Sequence, residues 1–369
     1  MRSALKLATG KRRQKPTSKQ DELPPSRDHP DADADLPARG AEHWEGAVPR
    51  TLDDPRLKAL PYRSRRGELK VAVHWGQRKL LMSEIQVMLP PYADGFGKRY
   101  HIVYVGSAPG SHLPYLDGLF DRRHTWQLVD PGEFDPCVQG HPNIRVDNCF
   151  FDNAFAYRIA VERLARALPA LAAVFEVAVA DADAQCEAPR PWRQLATGDL
   201  DAARTSLAIP TMAEPELDLP VGLDLLRRAA ADRAPLLFVS DVRSGTADMP
   251  NFSAHVVENM TAQATWARII DPSCALLKYR LPYTTDSAVL DNYPRGDVLL
   301  PVWGPLTTTE CRLATKAAFR WTAVDASAHE RRMFFVNAVL RERIHFDHAL
   351  APHPELDNRF DSAAEIAIW

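Results

Sequence analysis

The chain alternates short apolar runs with stretches of helical spacing, and the apolar runs meet glycine, aspartate or lysine near their ends. In "IVYVGSAPGSH", four of the five positions from Ile102 to Gly106 are β-branched or aromatic, which reads as a buried strand breaking at a glycine. "WQLVD" ends on Asp130, "APLLFVSDVRS" runs through Asp241, and "CALLKYRLPY" carries Lys278. Between them stand "GQRKLLMSEIQVML", with Leu80, Leu81, Ile85 and Met88 near one helical face, a helix from about His112, and a long helix through "VVENMTAQATWARII". Strands separated by helices predict an α/β fold with a central, mostly parallel sheet. Ligands of such sheets gather at the carboxyl ends of the strands.

Composition sets the boundaries. Residues 1 to about 50 are rich in charge and proline and cannot repay the entropy of ordering, so a disordered tail is expected there and one domain over 51–369. A helical and loop-rich insertion is expected at about 154–234. The net charge of -3 gives no global field toward nucleic acid, which would have to be met by local basic patches. Five scattered cysteines without paired spacing fit a reduced compartment with neither a zinc site nor a disulfide framework. The longest apolar stretch, from Ala167, holds a proline and a glutamate and is too short to span a bilayer, so a soluble intracellular protein with no membrane partner is expected.

The loop Gly106-Ser-Ala-Pro-Gly110 differs from the G-x-G-x-x-G pattern that seats a diphosphate on a helix N-terminus. With an acidic residue closing the next strand, it suits a nucleoside lacking phosphates, whose two ribose hydroxyls Asp130 can accept. S-adenosyl-L-methionine meets that description. An ordinary strand, turn and helix with a solvated aspartate has the same pattern. Four further residues add to it: Lys79 on the helix before the first strand, Asp241, Lys278, and Glu310 in "TTTECRLAT". A lysine inside an apolar strand is the least ordinary of these, because lysine is almost never fully buried unless paired.

Taken in order, "GQRKLL", "VYVGSAPGSH", "SDVRS", "LLKYRLPY" and "TECRLAT" resemble the poxvirus-type cap-specific mRNA (nucleoside-2'-O-)-methyltransferases, which double as regulatory subunits of poly(A) polymerase. The resemblance covers most of residues 70 to 345. It implies a Rossmann-like S-adenosylmethionine-dependent methyltransferase fold, viral origin, and a catalytic tetrad of Lys79, Asp241, Lys278 and Glu310. It also implies cofactor contacts at Gln77, Tyr104, Gly106, Gly110, Asp130, Asp241 and Arg243. For a 7-methylguanine cap it implies stacking on Tyr283, a carboxylate at Glu330, and a second aromatic upstream of Lys79, for which Trp44 is the candidate. The family's other cap carboxylate falls near Thr285, beside Asp286. Gly132 stands where the family carries a basic residue, which leaves the adenosine less well held than the ribose.

The chemistry asks for a base of modest proton affinity. A ribose hydroxyl is a poor nucleophile, and lysine with an ordinary pKa of about 10.4 is protonated at neutral pH. Burial among Leu276, Leu277 and Tyr279, a second ammonium at Lys79 and the sulfonium are expected to push Lys278 down. Two functions follow: transfer of methyl to capped mRNA with Lys278 as base, or non-catalytic RNA binding as a processivity factor beside a poly(A) polymerase catalytic subunit, along a track such as Arg63, Arg65, Arg66 and Arg243.

Overall fold

In the computed structural model, which describes residues 36–38, 40, 42–63, 76–167, 233–244, 251–283, 290, 293–316, 320–346 and 358–369, a short strand β1 (Glu42–Trp44) precedes helix α1 (Gly76–Met88). Strands and helices then alternate: β2 (His101–Val105), α2 (Leu113–Leu119), β3 (Thr125–Val129), β4 (Ile144–Asp147), α3 (Asn153–Ala167), β5 (Leu236–Ser240), α4 (Phe252–Ile270) and β6 (Cys274–Tyr279). The chain continues through β7 (Tyr293–Pro294), β8 (Asp297–Leu299), β9 (Cys311–Lys316), β10 (Trp321–Thr322) and α5 (Ala326–Phe335). A wide π-helical turn (Val336–Leu340) leads to β11 (Ile344–Phe346), and α6 (Phe360–Ile368) follows.

Seven strands form the central sheet in the order β4-β3-β2-β5-β6-β9-β8. Pairs from β4 to β6 are parallel, while β9 runs antiparallel to both β6 and β8. This is the mostly parallel, Rossmann-like sheet that the alternation of strands and helices predicts. Its central strands are apolar at nearly every position, as sheets covered on both faces require: Ile102, Val103, Leu128, Leu236, Phe238 and Leu277 are all buried. Helix α3 packs against α4, and α1 against β6 and α6.

Two expected segments include residues that the structure describes as ordered elements. Within the tail expected through residue 50, β1 pairs in parallel with β11, Glu42 opposite Ile344 and Trp44 opposite Phe346. Arg343 ties the lead-in by donating to Pro37 O at 2.8 Å and accepting Gly40 N on its own carbonyl. Residues 1–35 lie outside the described residues. The first residues of the insertion expected from 154 belong to helix α3. Phe155, Ala156, Ile159 and Ala160 of α3 are core, and Arg163 bonds Ala234 O, Ile270 O and Ser273 Oγ, fastening α3 to the sheet. Residues 168–232 lie outside the described ones. Among the described residues no helix is long and apolar enough to cross a membrane.

Candidate active site

From β2 the chain winds outward through β3 to β4, then returns to β5 on the other side. The strand order therefore reverses between β2 and β5, and the crevice beyond their carboxyl ends is where open α/β sheets bind ligands. Gly106 sits there with φ +76°, and a Cβ on it would stand 2.8 Å from the Asp241 carbonyl carbon. Only glycine allows both the left-handed backbone and that approach. Gly110 closes the loop, also at positive φ.

Asp130 organises the loop from the next strand. Its Oδ2 accepts Ala108 N at 3.2 Å and its Oδ1 accepts Gly132 N at 2.6 Å. Each oxygen keeps acceptor capacity for a hydroxyl. Ser107 Oγ is buried without a partner. A buried free hydroxyl, a half-exposed carboxylate and a glycine cradle fit the ribose end of a nucleoside cofactor such as S-adenosylmethionine. Gln77 is exposed on the first turn of α1. Tyr104 is buried and donates its hydroxyl to Glu84 Oε1 at 2.8 Å, and His112 lies 2.9 Å from the same carboxylate. Burial opposes a charge on His112, but Glu84 outweighs it and its pKa is raised.

Beside this loop the four expected charged residues converge. Lys278 Nζ is 2.9 Å from Asp241 Oδ1 and 3.8 Å from Glu310 Oε2. Lys79 Nζ reaches Glu310 Oε1 at 2.8 Å from α1. Two arginines complete the cluster. Arg312, which the sequence reading does not single out, donates to Asp241 Oδ1 at 2.7 Å and Glu310 Oε1 at 3.1 Å. Arg243 pairs with Glu310 Oε2 at 2.7 Å, so the structure joins it to Glu310. Four cations thus surround two carboxylates, an excess that favours an anion or a developing alkoxide nearby.

Burial sets the proton affinities first. It lowers Lys278, with Arg312 and Arg243 adding to it and Asp241 and Glu310 opposing. Burial and then Arg312 likewise lower Lys79, against Glu310. For Asp241 and Glu310, burial favours the neutral acid, yet the surrounding cations, Arg312 foremost, win and hold both carboxyls below their ordinary values. The result is two anchored carboxylates and two lysines of reduced proton affinity.

The expected cap residues are less evenly placed. Tyr283 is 41% exposed, and Arg280 donates to its hydroxyl at 3.0 Å while lying over the Phe252 ring. Glu330 lies on α5 next to His329, which anchors that helix to Thr309 O at 2.7 Å. Trp44 does not offer a stacking face: its ring stacks on Phe346 at 5.8 Å and carries the Arg56 guanidinium at 4.7 Å. Among the described residues upstream of Lys79, Tyr62 is an exposed aromatic, 54% accessible, and lines a small pocket with Thr307 and Thr309 directly before Glu310. Its position upstream of the lysine is the signal that sequence reading can use. Thr285 and Asp286 lie outside the described residues, as do Arg65 and Arg66.

Comparison with known proteins places the chain in a family. A family model described as poly A polymerase regulatory subunit matches residues 60–169 and 223–361, leaving the stretch between them unmatched. The cap-specific mRNA (nucleoside-2'-O-)-methyltransferase of Myxoma virus (strain Lausanne) is 23% identical over 288 residues, covering 75% of this chain and 65% of that protein. The protein of the same name from Fowlpox virus (strain NVSL) is 22% identical over 256 residues, covering 67% of this chain and 61% of its own length. The chain thus spans somewhat under two thirds of the length of these relatives. With the family model matching well over half of its residues, the chain belongs to the poly A polymerase regulatory subunit family.

Proposed function

We propose that the chain is a cap-specific mRNA 2'-O-methyltransferase, moving a methyl group to the ribose 2'-hydroxyl of the first transcribed nucleotide of 5'-capped mRNA. When bound, S-adenosyl-L-methionine supplies an electrophilic methyl on a sulfonium sulfur. The loop from Gly106 to Gly110 and Asp130 hold its nucleoside end. Lys278 takes the proton of the attacking hydroxyl, Asp241 orients that lysine, and Lys79, steered by Glu310, stabilises the developing oxyanion. The observation that carries this reading is Lys278 Nζ, 12% exposed on its side chain and 2.9 Å from Asp241, with its proton affinity lowered. An RNA-binding protein without catalysis has no physical need for such a lysine. Tyr283, Tyr62 and Glu330 are assigned to the cap, whose cationic ring favours aromatic faces and a carboxylate.

The test is incubation with radiolabelled cofactor and short RNAs, capped or uncapped. Label should enter the capped RNA and render its first internucleotide linkage resistant to alkali. Failure to label any RNA would sink the reading.

A second reading rests on the family description: the chain also supports a poly(A) polymerase catalytic subunit by holding RNA, with Arg63 and Arg243 on its track. The two separate cleanly, since Lys278→Arg should end methylation yet leave any stimulation of tailing.

A further inference from the structure

At the amino-terminal edge of the parallel strands, away from the Lys278 cluster, a cavity of about 300 Å³ opens between the lead-ins to β2, β3 and β5 and the last turn of α3. That volume is at the lower end for small-ligand pockets, about 300–1,000 Å³. Among its described lining residues four are arginines, Arg99, Arg163, Arg166 and Arg233, and none is acidic.

Only one of the four is committed to the fold. Arg163 is buried, and its guanidinium bonds carbonyls of Ala234, Ile270 and Asp271 and the hydroxyl of Ser273. Those carbonyls and the hydroxyl satisfy its donors, and the nearby Asp271 carboxylate offsets part of its charge, so the positive field of the cavity comes mainly from the other three. Arg166 spends one donor on Glu162 O, with the Glu162 carboxylate acting on its charge, and the described lining holds no carboxylate beside Arg99 or Arg233. The three stand exposed around one opening. His101 on the same wall registers this field: held between Thr125 Oγ1 and Gln127 Oε1, its pKa falls to about 4 through burial and then through Arg166 and Arg145. Near neutral pH its imidazole therefore adds no charge of its own to the wall.

We propose that this cavity is a second binding site, for phosphate groups of a nucleotide or an RNA strand. Guanidinium forks match phosphate oxygens bidentately, and an interface that is positive and polar without an exposed aromatic anchor has the character of nucleic-acid recognition more than of a protein interface core. The site is independent of methyl transfer, because none of its residues belongs to the Lys278 cluster or the cofactor loop.

The test pairs Arg99→Glu/Arg233→Glu in the full chain with the control Lys58→Glu, an exposed cation elsewhere. Binding of a short uncapped RNA is read by fluorescence anisotropy at several salt concentrations, with inorganic triphosphate and poly-glutamate as competitors. Both altered arginines are exposed, so melting temperature and S-adenosylmethionine affinity should match the parent and certify folding. Arg99→Lys/Arg233→Lys, which keeps the charge, should retain most of the binding. The double reversal should weaken RNA binding about tenfold or more and reduce its salt slope by roughly 1 to 2, while Lys58→Glu changes neither. If triphosphate affinity falls and RNA affinity does not, the source is a free nucleotide; if RNA affinity falls and triphosphate competes weakly, it is the strand backbone. Unchanged affinity for both, or poly-glutamate competing as well as RNA, would overturn the assignment.

Discussion

Lys278 and Arg312 stand directly opposite each other on the antiparallel β6–β9 pair, and Asp241 Oδ1 lies within 3 Å of both, 2.9 Å from the lysine and 2.7 Å from the arginine. Like charges facing across a ladder repel, so this register holds only because Asp241 and Glu310 sit between them. Arg312 cannot lose its proton in a protein. Of the two cations the lysine is therefore the one whose proton affinity gives way, in the direction that burial and Arg312 set.

Arg312→Gln should move the rate–pH profile to higher pH. Removing the guanidinium removes a charge that lowers Lys278, so its neutral fraction at pH 7 falls and activity returns only in more alkaline buffer. Asp241 and Glu310, whose pKa values lie below ordinary, contribute stability that is present above about pH 4 and lost as pH falls through their depressed values. In the variant that acid loss should begin at higher pH. Leaving two carboxylates under-compensated should also cost about 3–5 kcal/mol, so Arg312→Lys, which keeps the charge, serves as the folded reference. A single-turnover profile that coincides with the parent in a folded Arg312→Gln protein would dismiss the coupling.

Lys278→Arg should reduce methyl transfer by about 10²- to 10⁴-fold, the usual worth of a general base, with cofactor affinity by calorimetry unchanged. Arginine preserves charge beside Asp241 but never accepts the proton. The parent rate should climb with pH at a midpoint below that of free lysine, in the direction set by burial. Robust transfer by the arginine variant would relegate Lys278 to a clamp.

Most of this site is legible in the sequence, for physical reasons that differ by residue. Lys278 shows itself because an ammonium in an apolar strand demands partners, and Asp241 and Asp130 because they close strands at the edge where ligands bind. Arg312 is hidden. In "ECRLATK" an arginine reads as an exposed strand residue, although its spacing of two from Glu310 puts both on one face. The β-sheet margin is equally opaque: β9 runs antiparallel, and nothing in a six-residue run states its direction. Trp44 satisfies the sequence argument for an aromatic upstream of Lys79, while its parallel pairing with Phe346 rests on a partner 302 residues away that no local reading shows.

Gly106→Ala should damage fold and site together. A Cβ there meets the Asp241 carbonyl carbon at 2.8 Å, on backbone at φ +76°, and the left-handed conformation alone costs about 1–2 kcal/mol. Relief of the clash must displace the segment that carries Asp241. Thermal melting should show destabilisation, and cofactor affinity should drop in protein that remains folded. An alanine variant with parental melting and affinity would show that β2 and β5 do not close so tightly.

Asp130→Asn should weaken S-adenosylmethionine binding, measured by calorimetry, by an amount in the range of about 1.5–3 kcal/mol for bonds to a charged acceptor. The amide oxygen can still receive one of the two loop amides that Asp130 now holds, so the loop is disturbed less than by alanine. Equal affinity in parent and variant would remove Asp130 from the ribose.

Tyr62 and Tyr283 should govern affinity for the 7-methylated cap, and Trp44 should not. Both tyrosines are exposed, Tyr62 edge-on to Phe334 at 6.0 Å and Tyr283 tilted on Phe252 at 6.1 Å, so each ring is braced on one neighbour with surface left for a base. Stacking of a base on an aromatic side chain is worth about 1–3 kcal/mol, and a cationic ring strengthens it. Tyr62→Ala and Tyr283→Ala should therefore each weaken a methylated cap analogue by roughly 5- to 150-fold in fluorescence titrations, with less effect on the unmethylated analogue and none on cofactor affinity. Trp44→Ala, by contrast, strips the ring from between Phe346 and Arg56, and should lower melting temperature while sparing cap affinity in folded protein. Should Trp44→Ala lose the cap and Tyr62→Ala keep it, the aromatic pair would have to be drawn the other way round.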